Sequence, residues 1–174
     1  DLNFFKQKTL IMKIGIIIIF HNNENEIEKE LFLNLLNKTN LTPLCFVNNG
    51  SKDRTLEILK SLKDEFHSNV SIVDIKRNKG QELAIKAGAR YLFNSDELNH
   101  IGYINMNSFN GFKDFNKLIW AIESNKDLII QYNIQDIGNR MNQRKLFKNI
   151  FSIVEYLEIL QLEYDFNDVD FIAS

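Results

Sequence analysis

The strongest chemical signal in the chain lies in Val47-Asn48-Asn49-Gly50-Ser51-Lys52-Asp53-Arg54-Thr55. A short apolar strand meets a Gly-Ser turn there and then an amphipathic helix, and a turn that opens a helix offers free N–H groups and a positive dipole end to phosphate. Ser51 or Asp53 can cap that helix. Asn48 and Asn49 place amides, which both donate and accept, where a nucleotide or metal site more readily uses carboxylates. Taken alone, Asn48, Asn49 and Gly50 equally make a good turn, because Asn and Gly tolerate left-handed backbone. Three further polar clusters follow apolar runs: His21-Asn22-Asn23 after Phe20, Asn78-Lys79-Gly80, and Asn105-Met106-Asn107-Ser108.

Several chemistries lack their residues. No G-x-x-x-x-G-K-[ST] loop follows the first strand and no G-x-G-x-x-G follows any strand, so P-loop and dinucleotide fingerprints are missing. His21, His67 and His100 have neither i, i+4 spacing nor a cysteine partner, which argues against zinc chemistry. Cys45, the only cysteine, sits in an apolar run and reads as a core residue. A net charge of −2 and a pI near 6.0 provide no global basic field, so no nucleic-acid partner is expected. A local cluster of Arg140, Arg144, Lys145 and Lys148 reads as a solvated face that could also meet a phosphate-bearing acceptor.

The elements that position these residues alternate along 174 residues, a length suited to one domain with a real core. Residues 1–11 lack periodicity and read as an N-terminal extension, with Met12-Lys13 resembling a natural start and 12–174 forming one domain. The apolar run 14–20 is too short to span a bilayer, so no transmembrane segment is expected. Strands are predicted at 13–20, 44–47, 70–75, 101–104 and 128–132. Helices are predicted at 24–37, after Ser51 (Ile58, Leu59, Leu62 and Phe66 inward), at 81–93 (Leu83, Ala84, Ala87, Gly88 and Tyr91 on one face), around Phe115 to Ile122, and at 145–161. Such alternation with short loops predicts an α/β fold, a mostly parallel sheet with helices on both faces.

Four segments in order resemble family 2 glycosyltransferases of the Rossmann-like GT-A fold. They are Ile16 to Ile27 with its His-Asn-Asn-Glu loop, Val47 to Thr55 beside the family's Val-Asp-Asp-Gly-Ser-x-Asp-x-Thr, and Asn78-Lys79-Gly80 with Ala84, Ala87 and Gly88. The fourth is Tyr103-Ile104-Asn105-Met106-Asn107, at the place of the family's Asp-x-Asp. A fainter match is Asp170-Phe171. The resemblance implies a nucleotide-diphosphate sugar donor (a UDP- or GDP-sugar) contacted by Phe20, His21, Asn22, Asn23, Asn49, Gly50, Ser51, Asp53, Lys79, Gly80, Asn105 and Asn107. It further implies a glycan or lipid-phosphate acceptor, with Asp170 as the candidate base, and work in polysaccharide assembly in the cytoplasm or at the inner face of the membrane.

Asn48, Asn49, Asn105 and Asn107 stand where the family carries aspartate. Hard cations gain affinity with ligand charge, so a Mg or Mn ion at Asn105 and Asn107 is expected to be weakly held. The alternative is a degenerate, non-catalytic GT-A domain that binds a nucleotide-sugar or serves as an interaction module. The resemblance also leaves room for an acceptor segment beyond Ser174. The sequence sets no oligomeric state.

Overall fold

A computed structural model describes residues 14–30, 32–33, 42–65, 69–95, 98–108, 122, 124–139 and 149–159. Among these residues the element order is β1 (Ile14–Phe20), β2 (Leu44–Asn49), α1 (Thr55–Glu65), β3 (Val70–Ile75), α2 (Gln81–Ser95), β4 (His100–Asn105), α3 (Lys126–Asn139), β5 (Ile150–Ser152) and α4 (Ile153–Ile159). The strands form one sheet in the order β3-β2-β1-β4-β5, and every pairing is parallel. The expected α/β architecture is therefore present, with all five carboxyl ends on one edge.

β1 is buried along its whole length because both of its faces are covered. Ile14, Ile16, Ile18 and Phe20 point to one layer, where Leu44 and Phe46 of β2 meet Leu59 and Leu62 of α1, Ile129 of α3, and Ile153, Tyr156 and Leu157 of α4. Ile17 and Ile19 point to the other, with Cys45, Val47 and the small face of α2. Cys45 is fully buried, and burial pushes its thiol up to about 11, so it is a packing residue rather than a nucleophile.

Helix α2 lies close to the sheet. A Cβ on Gly88 would stand 2.9 Å from Val47 Cγ2 and 3.1 Å from Ile17 Cγ2, so any side chain there would push the helix or these methyls apart. Its inward face differs from the expected one. Ala84, Gly88, Ala89 and Leu92 are buried, while Leu83 and Tyr91 are 48% and 44% exposed.

Two expected elements are corrected. Residues 128–132 are not a fifth strand but part of α3, which buries Ile129, Ile130 and Asn133 at helical spacing and leaves Leu128 and Ile134 outward. The fifth strand falls instead at Ile150–Ser152, inside the stretch expected to be one long helix, and pairs with β4 through Ile101, Gly102 and Tyr103. Helix α4 begins only at Ile153. The turn at 24–26 likewise delays the first expected helix, whose helical residues among those described are 29, 30, 32 and 33. The 1–11 extension, Phe66, His67, the basic cluster at 140–148 and the segment from Tyr164 to Asp170 lie outside the described residues.

At the opposite end of β4 from the loops, His100 is buried, and Asn133 Nδ2 lies 2.6 Å from its Nδ1, which therefore accepts. The Tyr156 hydroxyl lies 2.9 Å from Asn133 Oδ1 and 2.8 Å from Asp136 Oδ2. Burial holds the imidazole below its ordinary value of 6.5. Below pH 6.5 the unfolded chain then takes up a proton that the folded chain refuses, so stability falls as pH drops from 6.5 toward the folded pKa. Melting temperatures across pH 5 to 8 are expected to show this slope in the native chain and a flatter one in His100→Gln; equal slopes would contradict it.

Candidate functional site

The connection β1 to β2 runs toward one edge of the sheet, and β4 lies on the other side of β1, so the strand order reverses between β1 and β4. Ligands of open parallel sheets bind outside the carboxyl ends at such a point. The polar clusters singled out in the sequence meet there, joined by hydrogen bonds between loops.

The first loop follows Phe20. Asn22 adopts a left-handed φ of 55°, which asparagine tolerates. Its N–H donates to Ser51 Oγ at 3.0 Å and its Oδ1 accepts the Lys52 N–H at 2.8 Å, stapling the first loop to the second. His21 Nδ1 lies 2.9 Å from the Asn49 carbonyl, so Nδ1 carries the proton and Nε2 accepts, with Asn22 Nδ2 3.4 Å away. Asn23 is buried; its N–H donates to Thr55 Oγ1 at 2.7 Å, and its Nδ2 donates to Asn107 Oδ1 at 2.8 Å. Asn107 Nδ2 in turn donates to the His21 carbonyl at 3.0 Å, bridging the reversal point itself. Phe20 is a correction: its ring is fully buried against Phe32 and Phe46, so it offers a ligand no side chain.

The second loop is held from both sides. Asn48 Nδ2 donates to Asp74 Oδ1 at 2.8 Å, and Asn49 receives the Lys79 N–H at 3.1 Å while donating to Asn78 Oδ1 at 3.2 Å and the Gly80 carbonyl at 3.4 Å. Both amides are buried: Asn48 ties the β2 turn to β3, and Asn49 positions the β3–α2 loop. Asp53 and Glu24 exchange caps: Asp53 accepts the Thr55 and Glu24 N–H groups, and Glu24 accepts the Arg54 N–H. Burial would raise the Asp53 carboxyl, but hydrogen bonds from the Thr55 hydroxyl and from the N–H groups of Thr55 and Glu24 outweigh it and hold the pKa below the ordinary value. Asp53 is thus a cap, and Ser51 a loop staple.

Gly50 has a φ of +69°, and a Cβ on it would stand 2.2 Å from Asn78 N and 2.3 Å from the Arg77 carbonyl carbon. The absent side chain lets the β3–α2 loop close against the β2 turn. Between the first three loops lies a cleft of about 510 Å³ lined by His21, Asn22, Gly50, Ser51, Lys52, Lys76, Arg77 and Asn78, within the usual range for small-molecule sites. Lys76 and Arg77 escaped the sequence reading, which singled out only Asn78-Lys79-Gly80 in this turn. The register of β3 beside β2, Asn49 opposite Ile75, is what carries them to the rim.

The metal positions can be judged by their donors. Asn105 Oδ1 accepts the Asn107 N–H at 3.0 Å and its Nδ2 donates to Gln81 Oε1 at 2.6 Å. Asn107 is engaged through both amide atoms, as above. Neutral oxygens already holding N–H groups are poor ligands for a hard cation, and no group of three His, Cys, Asp or Glu side chains able to hold a metal comes together among the described residues. This donor set does not fit a divalent ion. Asn105 instead lines a second, smaller cavity of about 230 Å³ with Gln81, Tyr103, Ser152 and Glu155 among its neighbours. Asp170 lies outside the described residues.

The all-parallel sheet with its helices is an α/β Rossmann-like architecture of the GT-A kind, and the chain belongs to glycosyl transferase family 2, whose model matches residues 15–172. It is 40% identical over 90 residues to the uncharacterized glycosyltransferase sll0501 of Synechocystis, an alignment covering 47% of this chain and 26% of the relative. It is also 52% identical over 50 residues to the uncharacterized glycosyltransferase YkcC of Bacillus subtilis, covering 28% of this chain and 15% of that protein. The matched stretches thus span about a quarter or less of these relatives' length. No helix among the described residues is long and apolar enough to cross a membrane.

Proposed function

We propose that this domain binds a UDP- or GDP-sugar at the carboxyl edge of the sheet and transfers the sugar to a glycan or lipid-phosphate acceptor without relying on a metal at Asn105 and Asn107. The observation that supports this reading most is a cleft between the first three loops at the carboxyl edge, with His21 and the exposed Asn22 at its rim and the β4 loop tied to the first loop by Asn107. Acceptors and donors there suit the polar edge of a base and the hydroxyls of a ribose. In the reaction the family resemblance implies, an acceptor hydroxyl attacks the anomeric carbon, the bond to the diphosphate breaks, and the hydroxyl proton passes to a base, for which Asp170 is the candidate. Such a base is worth roughly 10²- to 10⁴-fold in rate. Polysaccharide assembly in the cytoplasm, at the inner face of the membrane, is the setting this proposal favours.

The engagement of both amides at Asn105 and Asn107 favours a second reading, a non-catalytic domain that binds a nucleotide-sugar or a partner. Titration calorimetry with UDP, GDP and their sugars, together with an assay for sugar release, separates the two. Turnover supports the transferase; binding without turnover supports the second reading; no binding at millimolar nucleotide removes both sugar-binding readings.

The account of the metal positions has its own test. Asn105→Asp with Asn107→Asp restores two carboxylates, and Mn²⁺ affinity is expected to rise by at least about tenfold over the native chain. A variant still blind to Mn²⁺ would show that these positions are not the counterpart of the family's metal pair.

A further inference from the structure

The cleft between the first three loops has a one-sided charge. Lys52, Lys76 and Arg77 line it, and no carboxylate does. Lys76 Nζ lies 2.5 Å from Asp74 Oδ2, so its charge is answered from below. Lys52 and Arg77 have no ion-pair partner among the described residues. Their positions are built rather than incidental: Gly50 admits the Arg77–Asn78 backbone against the β2 turn, and Asn22 Oδ1 holds the Lys52 N–H at 2.8 Å. Gathering like charges in a cleft costs energy that an anion recovers, and a concave wall of one sign concentrates the field on what enters. Across the reversal point, Asn105 and Asn107 bring no charge at all.

We infer that Lys52 and Arg77 hold the diphosphate of the donor and supply the charge neutralisation that the β4 loop, with its two engaged amides, does not. This inference rests on the nucleotide-sugar reading and deepens it by naming the groups that make the site independent of metal. Arg77 presents a planar fork suited to two phosphate oxygens, and Lys52 adds a mobile point charge on the facing loop. The leaving diphosphate departs carrying the electron pair of the broken anomeric bond, and these two cations stabilise it. Lys76, paired with Asp74, contributes less.

The test uses the full chain and calorimetric titration with UDP, GDP, uridine, guanosine and inorganic pyrophosphate, each in EDTA and in Mn²⁺. In the native chain UDP or GDP is expected to bind equally well in both, and more tightly than the matching nucleoside. The double variant Lys52→Gln with Arg77→Gln is expected to lose nucleotide and pyrophosphate affinity by at least about tenfold while keeping nucleoside affinity, and Lys76→Gln to lose less. Both substituted side chains are exposed, so an unchanged melting curve is expected to accompany the loss. Nucleotide affinity retained by the double variant, or native binding that collapses in EDTA, overturns the inference while leaving the nucleotide-sugar reading in place. Absence of any nucleotide or nucleoside binding overturns both.

Discussion

Replacing Gly50 with alanine is expected to destabilise the fold by about 3 kcal/mol or more and to abolish ligand binding at the loop edge. Two effects add. The left-handed φ of +69° strains any residue with a Cβ, by about 1–2 kcal/mol. The new methyl group would also stand 2.2 Å from Asn78 N, 2.3 Å from the Arg77 carbonyl carbon and 2.7 Å from Arg77 Cα. These are backbone atoms, which cannot swing aside as a side-chain tip would, and overpacking of this kind costs about 1–3 kcal/mol. The loop that moves to relieve the clash carries Asn78, Lys79 and Gly80, so the three hydrogen bonds of Asn49 are lost with it. Gly80 provides the comparison. Its φ is +81°, but nothing lies within 4 Å of the added Cβ, so Gly80→Ala should cost only the conformational part, about 1–2 kcal/mol. Urea denaturation of both variants checks this, and equal losses would show that the clash at Gly50 is relieved cheaply.

Phe46→Ala is the second large effect, an expected loss of about 3–5 kcal/mol. Phe46 is fully buried in the middle of β2, edge-on to Phe20 at a centroid distance of 5.5 Å and to Phe32 at 6.2 Å. Removing its ring leaves a cavity that three elements would have to collapse together to fill, while β1 and β2 stay fixed by their parallel ladder. Phe46→Leu keeps most of the volume and should cost less than about 2 kcal/mol. The urea midpoint should fall in that order with the slope unchanged, and a Phe46→Ala loss below about 1 kcal/mol would contradict the packing described.

The layered architecture was legible because strands covered on both faces leave continuous apolar runs, as in Ile14–Phe20, and because Gly50 and Ser51 punctuate the step from strand to helix. Short apolar runs do not distinguish strand from helix, which is why Leu128 to Tyr132 misled. Only tertiary burial of Ile129, Ile130 and Asn133 on one face, with Leu128 and Ile134 left outside, settles α3. In the same way Ile150, Ile153 and Leu157 keep helical spacing across a boundary where a three-residue strand pairs with β4. At the site, the residue types were readable but their partners were not. Asn23 meets Asn107 across 84 positions, and Asn49 reaches the Asn78–Gly80 turn about 30 positions on. Those pairings are set by sheet order, which no local pattern encodes. The exchange of caps by Glu24 and Asp53, and the rim role of Lys76 and Arg77, were hidden for the same reason.

The central claim is that a nucleotide-sugar binds where the strand order reverses, outside the carboxyl ends of β1 to β4. Amide chemical-shift mapping during titration with UDP-glucose and GDP-mannose reads this location directly. The account predicts shifts concentrated at His21, Asn22, Gly50, Ser51, Lys52 and Arg77, with little change at the far end of the sheet near Pro43, Asn69 and Ser95. Shifts centred on that far end, or none at saturating nucleotide-sugar, would contradict it.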